Sequence, residues 1–371
     1  MVDLETSCRR QGAKGNRVVT LLTAGDPLAD AVVTELDLHG PASRRALDRG
    51  LRHGLASLDP QSPPAITALL EHLETTPSQV DPLMLHRGDV VSLSVPPMWF
   101  ELCSITSALA HTYASPAIAR LLVGAGGPPD LAASRLTETG VWTRQTIRPG
   151  GLLRGGPGYV ATVEVRLAHA RMRAASLADW DRGAQGLPVG QLDMARTWLG
   201  FTLIAFQALE TVGIEIDRAE ERSLYRYWSH VAHLLGLDES LHGDVADHVE
   251  ARRLSDLLDA TTAPPDGNST TLTAAMIDAQ ARAMAGVPGA VLTEEQLRHL
   301  IGSMLWRAFG EERGIRLGIA RTPATTDLMP LISQLNRQAR YWQTRSASSA
   351  HEARRRALEE PGPGLLTTLL A

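Results

Sequence analysis

The chain has 371 residues, 44% of them hydrophobic and 21% charged, with a formal net charge of -5. This composition gives a globular chain room for a sizeable core and excludes a disordered one. No block of like charge is long enough for a nucleic-acid footprint. The two cysteines, Cys8 and Cys103, form no CxxC, which excludes a zinc ribbon, an iron–sulfur cluster and covalently attached c-type haem.

At the N-terminus, Arg9 and Arg10 precede "VVTLLTAG", an apolar run too short for an export signal and preceded by acidic residues. The expectation is a cytoplasmic protein. Lys14 is the sole lysine among 36 basic residues, so lysine chemistry is confined to the first 20 residues.

"DPLADAVVTELDLHG" (26 to 40) carries the punctuation of a helix: an Asp cap, Pro at the first position and a terminal Gly. "SPPAITALLEHLETTPSQV" (62 to 80) repeats helical spacing between prolines. The longest uncharged run, "LCSITSALAHTYASPAIA" (102 to 119), contains Ser, Thr, His and Pro, which suits a buried helix rather than a membrane span. "DLAASRLTETGVWTRQTI" (130 to 147) reads as a helix that then turns, and "RPGGLLRGGPG" (148 to 158) as a loop.

A helix follows at "TVEVRLAHARMR" (162 to 173), then a long buried one in 188 to 214 and an amphipathic one in 217 to 237. The same pattern recurs in 247 to 262, 270 to 286 and 293 to 310. "TTAPPDGNSTT" (261 to 271) reads as a long surface loop and 353 to 371 as a tail. With strand-like alternation scarce, the expected fold is all-α. Its expected organisation is an N-terminal arm (1–24), one multi-helix domain (25–340) and a C-terminal helix and tail (341–371).

At about 100° per residue, Tyr159, Thr162, Arg166, His169 and Arg173 share a sector of roughly 80° bordered on both sides by apolar residues. Arginines buried beside a histidine need anionic partners, because an unpaired buried charge costs several kcal/mol. A haem would supply them: its propionates accept from arginine and its iron takes a neutral imidazole. A partly solvated stripe whose histidine bonds a backbone carbonyl fits the same spacing, and the residues alone leave both readings open.

Other constellations are weaker. His230 and His233 (H-x-x-H) have metal-ligand spacing but read first as a structural pair. His242 and His248 read as solvated loop residues. Di-metal E-x-x-H pairs, P-loop, Rossmann and G-x-S-x-G patterns do not occur.

The succession "RLTET", glycine-rich turn, "GYVATVEVRLAHARMR" and "GQLDMARTWLGFTLIAFQALETVGI" resembles the rubber oxygenase (latex-clearing protein) and mycophenolic-acid side-chain oxygenase family. "YRYWSHVAHLLGLD" (225 to 238) and "GDPLADAVV" (25 to 33) add to it, so the resemblance covers roughly residues 25 to 310. It implies a globin-like helical core with non-covalent haem b, dioxygen as oxidant, and oxidative cleavage of carbon–carbon double bonds in isoprenoid-type substrates. Carried over by position, His169 is the proximal iron ligand, and Arg135 and Thr139 lie on the distal side. Arg166 and Arg173 are the basic residues around the ligand helix, in propionate or structural pairing.

Two departures qualify this. The family's distal lysine is replaced by Glu138, which could act as an acid/base group or as the anionic partner of Arg135. The stretch that holds the family's catalytic glutamate, 102 to 129, contains no Asp or Glu, and His111 is its near-neutral titratable group. The haem site therefore transfers better than polymer cleavage, and the expected substrate is a small apolar molecule, with an electron donor as a further partner. Another haem reaction (peroxidase, peroxygenase or dehydratase) and a non-enzymatic haem or gas sensor are the alternatives.

Overall fold

Proline opens helix after helix in this chain, where its missing N–H is one the first turn leaves unbonded anyway. A computed structural model describes residues 12–75, 80–124, 128–182 and 186–359. Its first helices are α1 (Gly12–Leu21), α2 (Pro27–His39), α3 (Pro41–His53), α4 (Pro64–Glu74) and α5 (Pro82–Ser92). A π-helical turn (Glu101–Thr106) joins α6 (Pro97–Phe100) to α7 (Ser107–Tyr113), followed by α8 (Pro116–Val123), α9 (Pro128–Ile147) and α10 (Pro157–Ser176). A second π-turn (Gly200–Ile204) joins α11 (Gln191–Leu199) to α12 (Ala205–Thr211). Then come α13 (Arg218–Leu234), α14 (Glu239–His242), α15 (His248–Asp259), α16 (Gly267–Ala285) and α17 (Glu294–Phe309). Three more, α18 (Glu311–Arg316), α19 (Met329–Arg345) and α20 (Ala347–Glu359), complete the described chain.

The fold is all-α, as expected. The chain divides into two compact units, each assembled from three separate stretches. The first holds Met1–Asp89, Trp142–Ala195 and Arg222–Ala260; the second holds Val90–Val141, Arg196–Glu221 and Thr261–Ala371. The arm (1–24), domain (25–340) and tail (341–371) expected from the sequence remain a reading of the sequence alone. Of that arm, residues 1–11 lie outside the described residues, as do 360–371 of the tail; residues 353–359 are helical. Among the described residues no helix is long and apolar enough to cross a membrane.

In the first unit α2 packs on α10, α4 and α3. The glycine-rich turn reads as expected, and close approach explains its composition. A Cβ on Gly155 would come within 2.4 Å of the Arg52 carbonyl oxygen, and one on Gly158 within 2.5 Å of the Thr146 backbone. The turn is also tied inward: the Gly150 N–H donates to buried Asp89, which takes the Tyr227 hydroxyl as well. Burial pushes that carboxyl up to about 6. In the second unit α16 packs on α17, α8 and α7, and α12 packs on α17. Its two π-turns pack together, with Gly200 against the Ala108 backbone.

Two local expectations change. Helix α9 does not turn after Gly140 but runs to Ile147, because Trp142, Thr143, Thr146 and Ile147 are buried and hold the last turns in the core. The long loop expected at 261 to 271 ends at Asp266. That side chain caps α16 by accepting from the Asn268 and Ser269 N–H groups, so "GNSTT" is a helical first turn.

Candidate functional site

Helix α10 presents its mixed stripe inward. Tyr159, Thr162, Arg166 and Arg173 are buried, His169 is half-buried, and Ala168, Arg171 and Ala174 face outward. The anionic partners of the arginines come from one face of α2 and its cap. The Arg166 guanidinium donates in bidentate fashion to Asp26, Nε to Oδ2 at 2.6 Å and Nη2 to Oδ1 at 2.9 Å. One turn of α2 further on, Asp30 accepts from Arg173 Nη2 at 2.7 Å and from its Nε at 3.0 Å. Arg173 also donates to the Val189 carbonyl at 2.5 Å. His169 sits between these two ion pairs, its Nδ1 buried. Upstream, Trp142 Nε1 donates to Thr162 Oγ1 at 3.0 Å.

The other segments that carry the family resemblance converge on the same two pairs. A Cβ on Gly236, which has φ +74, would lie 2.5 Å from both Arg166 Nε and Asp26 Oδ2. The backbone therefore lies directly on the ion pair, and a side chain there would displace it. Gln191 closes the arrangement: its Nε2 donates to the Gly25 and Gly236 carbonyls, and its Oε1 accepts from the Asp238 N–H. "GDP", "GQ" and "LLG" are thus buttresses of the histidine helix. Asp26 and Asp30 escaped sequence reasoning as partners. Their i, i+4 spacing was visible, but nothing in it says which helix they meet.

Beside the Arg166–Asp26 pair, and within the same unit, lies a cavity of about 730 Å³ lined by His72, His230, His233 and His242. His233 stacks on His72 with ring centroids 4.7 Å apart and on His230 at 6.2 Å. Burial pushes His230 and His242 down to about 4, and burial with the neighbouring imidazoles pushes His233 down to about 3. His72 is lowered by burial and then by Arg166. Four neutral rings therefore line the cavity. Among the described residues His72 Nε2, His230 Nδ1, His233 Nε2 and Arg166 Nη1 are buried without a hydrogen-bond partner.

The sequence reading of His242 as a solvated loop residue is corrected. Asp238 caps α14, and the short helix turns His242 inward onto Ser229 Oγ at 2.8 Å. His248 opens α15 and bonds the Tyr225 hydroxyl at 2.9 Å. Among the described residues no group of three or more His, Cys, Asp or Glu is placed to hold a metal ion.

Arg135, Glu138 and Thr139 belong to the second unit, on α9. Arg135 lies 3.4 Å from Glu138, which is exposed and also accepts from Ser134 at 2.9 Å. Buried Tyr113 of α7 feels the Arg135 charge, but burial dominates and raises its hydroxyl. His111, buried and 3.4 Å from Arg313, is held well below its ordinary value by burial and then by Arg313 and Arg196. Sequence reasoning also missed Glu101, one residue before the stretch searched for a carboxylate. It is buried on the π-turn and accepts from Gln280 Nε2 at 3.0 Å. Its signal was a lone carboxylate inside the apolar run "MWFELCSI". Single π-turns inside α-helices are frequent at functional sites.

A fit to haem is tested by the donors themselves. A haem iron asks of the protein one neutral imidazole on a rigid element. His169 supplies an imidazole on a 20-residue helix, pinned on one side by the buried Arg166–Asp26 pair and on the other by the part-buried Arg173–Asp30 pair.

Residues 104–334, more than half of the chain, match the family described as "ER-bound oxygenase mpaB/B'/Rubber oxygenase, catalytic domain". The match includes α9 and α10 in full. A solved structure, latex clearing protein in the closed state, is similar in fold, with a TM-score of 0.64 and 20% sequence identity over 91% of this chain and 90% of that one. No curated protein sequence matches the chain. The class is therefore an all-α oxygenase, an oxidoreductase enzyme. The chain belongs to the mpaB/rubber oxygenase family.

Proposed function

We propose that the chain is a haem b-dependent oxygenase that oxidises, or cleaves at a carbon–carbon double bond, a small and largely apolar substrate. The observation that carries this reading is His169, an imidazole on a helix fixed by two arginine–aspartate pairs, one buried and one part-buried, inside a family of oxygenases. When bound, the haem supplies the iron at which dioxygen is activated.

The residues of the chain do the rest. His169 would hold the iron. Arg166 and Arg173 already engage Asp26 and Asp30, so their role is to position α10 rather than to meet the propionates. Arg135 and Thr139, to which the family resemblance gives the oxidant, would donate hydrogen bonds that stabilise developing negative charge. Glu138, exposed and bonded to Ser134, serves as the anionic partner of Arg135 and not as an acid/base group.

Protein produced with a haem supply should show a Soret band, and His169→Ala should lose the band or the iron ligation while its helical circular dichroism is kept. Wild-type protein that stays colourless, or a His169→Ala variant with an unchanged spectrum, overturns the reading.

A further inference from the structure

Helix α19 carries its apolar residues on the wrong side for an ordinary surface helix. A helix packed on a domain buries its apolar stripe and turns charges to solvent. Here the inward face holds Met329, Ser333 and Arg340. Arg340 bonds Glu220 at 2.5 Å and Ser94 Oγ at 3.0 Å, and Asn336 donates to the Val212 carbonyl. The opposite face holds Leu331, Leu335 and Trp342, which are 58%, 56% and 60% exposed. At about 100° per residue these three fall within a sector of roughly 40°.

Charge makes the stripe selective. The sequence of α19, "MPLISQLNRQARYWQTR", has no acidic residue. Arg345 borders the apolar stripe and lies over the Tyr341 ring at 4.1 Å while donating to its hydroxyl at 2.7 Å; exposed Arg337 lies further round the helix on the same side. The aromatic ring is thereby held at the rim. Over residues 329 to 359 there are six arginines against two glutamates, in a chain whose net charge is -5.

We propose that the exposed face of α19 is a peripheral membrane-docking surface that takes an anionic lipid bilayer. Leu331, Leu335 and Trp342 at the centre, Tyr341 at the rim and Arg345 beside it match the order of acyl chain, interface and phosphate in such a surface. A second copy of the chain is a poorer occupant. One convex stripe of three or four side chains falls well short of the roughly 800 Å² per partner of a standard interface. The inference is independent of the haem assignment, because it concerns a different face and needs no cofactor.

The test is co-sedimentation of the full-length protein with vesicles of phosphatidylcholine alone or mixed with phosphatidylglycerol. Binding to the mixed vesicles is expected, weakened by added salt. It should fall about fivefold in Arg345→Gln. It should fall at least about tenfold in the double variant Leu335→Gln/Trp342→Gln, whose unfolding midpoint should stay near that of the parent because the substituted side chains are exposed. Absence of binding, equal binding to both vesicle types, or binding indifferent to these substitutions overturns the proposal. So does a dimer in sedimentation velocity that the double variant abolishes, since the face would then belong to a second copy.

Discussion

At the scale of single residues, the Arg166–Asp26 pair shows what a buried charge demands. The arginine side chain is 2% exposed and that of its partner 10%. Removing one partner leaves the other charged in a medium that solvates it poorly, and such losses cost about 3–5 kcal/mol, whereas replacing both by apolar residues of similar volume costs far less. Asp26→Ala should therefore destabilise the protein by about that amount. The double variant Arg166→Met/Asp26→Leu should be the more stable of the two. Urea denaturation of the pair checks this, and an equal loss in both would show that the charges do not matter to each other. The same pair explains why Gly236 and Gln191 are what they are, since a backbone lies against the guanidinium and an amide bridges two of the carbonyls around it.

At the scale of elements, helix starts were the most legible feature. The Asp26 cap with Pro27, predicted from "DPLADAVV", accepts from the Ala29 N–H as expected. Asp266 has the same chemistry but stands among Pro, Gly, Asn, Ser and Thr, whose composition reads as loop, and the local composition hid the cap. Asp266→Ala should cost about 1 kcal/mol of stability, measurable in the same denaturation assay. No change would mean that α16 starts independently of its cap. The π-turns at Glu101–Thr106 and Gly200–Ile204 were not legible, because a single extra residue in an apolar helix leaves no trace in its periodicity. The stripe on α10 was legible as a pattern. Its inward orientation follows from the apolar residues on both sides, but the aspartates opposite it lie more than a hundred residues away in the chain.

At the scale of the whole molecule, the buried histidines set how the protein responds to acid. His230, His233 and His242 have folded-state values of about 4, 3 and 4, below the 6.5 of an exposed imidazole. The unfolded chain therefore binds protons that the folded chain refuses, and stability falls as pH drops from about 6.5 towards 4. Above that window both states are neutral and this contribution is flat. Asp89, raised to about 6, works in the opposite direction between its ordinary value and 6, but it is one group against these three, and His72 and His111, also lowered, act with them. Stability measured by urea denaturation should thus decline on acidification with a net uptake of protons on unfolding, and His230→Gln should make the slope shallower. A pH-independent stability across that window would show that these rings are solvated.

The sequence by itself determined the all-α class, most helix boundaries and the grouping of Arg166, His169 and Arg173 on one face. These depend on interactions within a few residues: caps, proline positions and a 3.6-residue period. Only the tertiary structure decided which anions meet those arginines, that four histidines share one cavity, and that α19 turns its leucines and tryptophan to solvent. Each of these is a pairing or an exposure set by distant parts of the chain, and local periodicity shows which residues share a face without showing what that face meets.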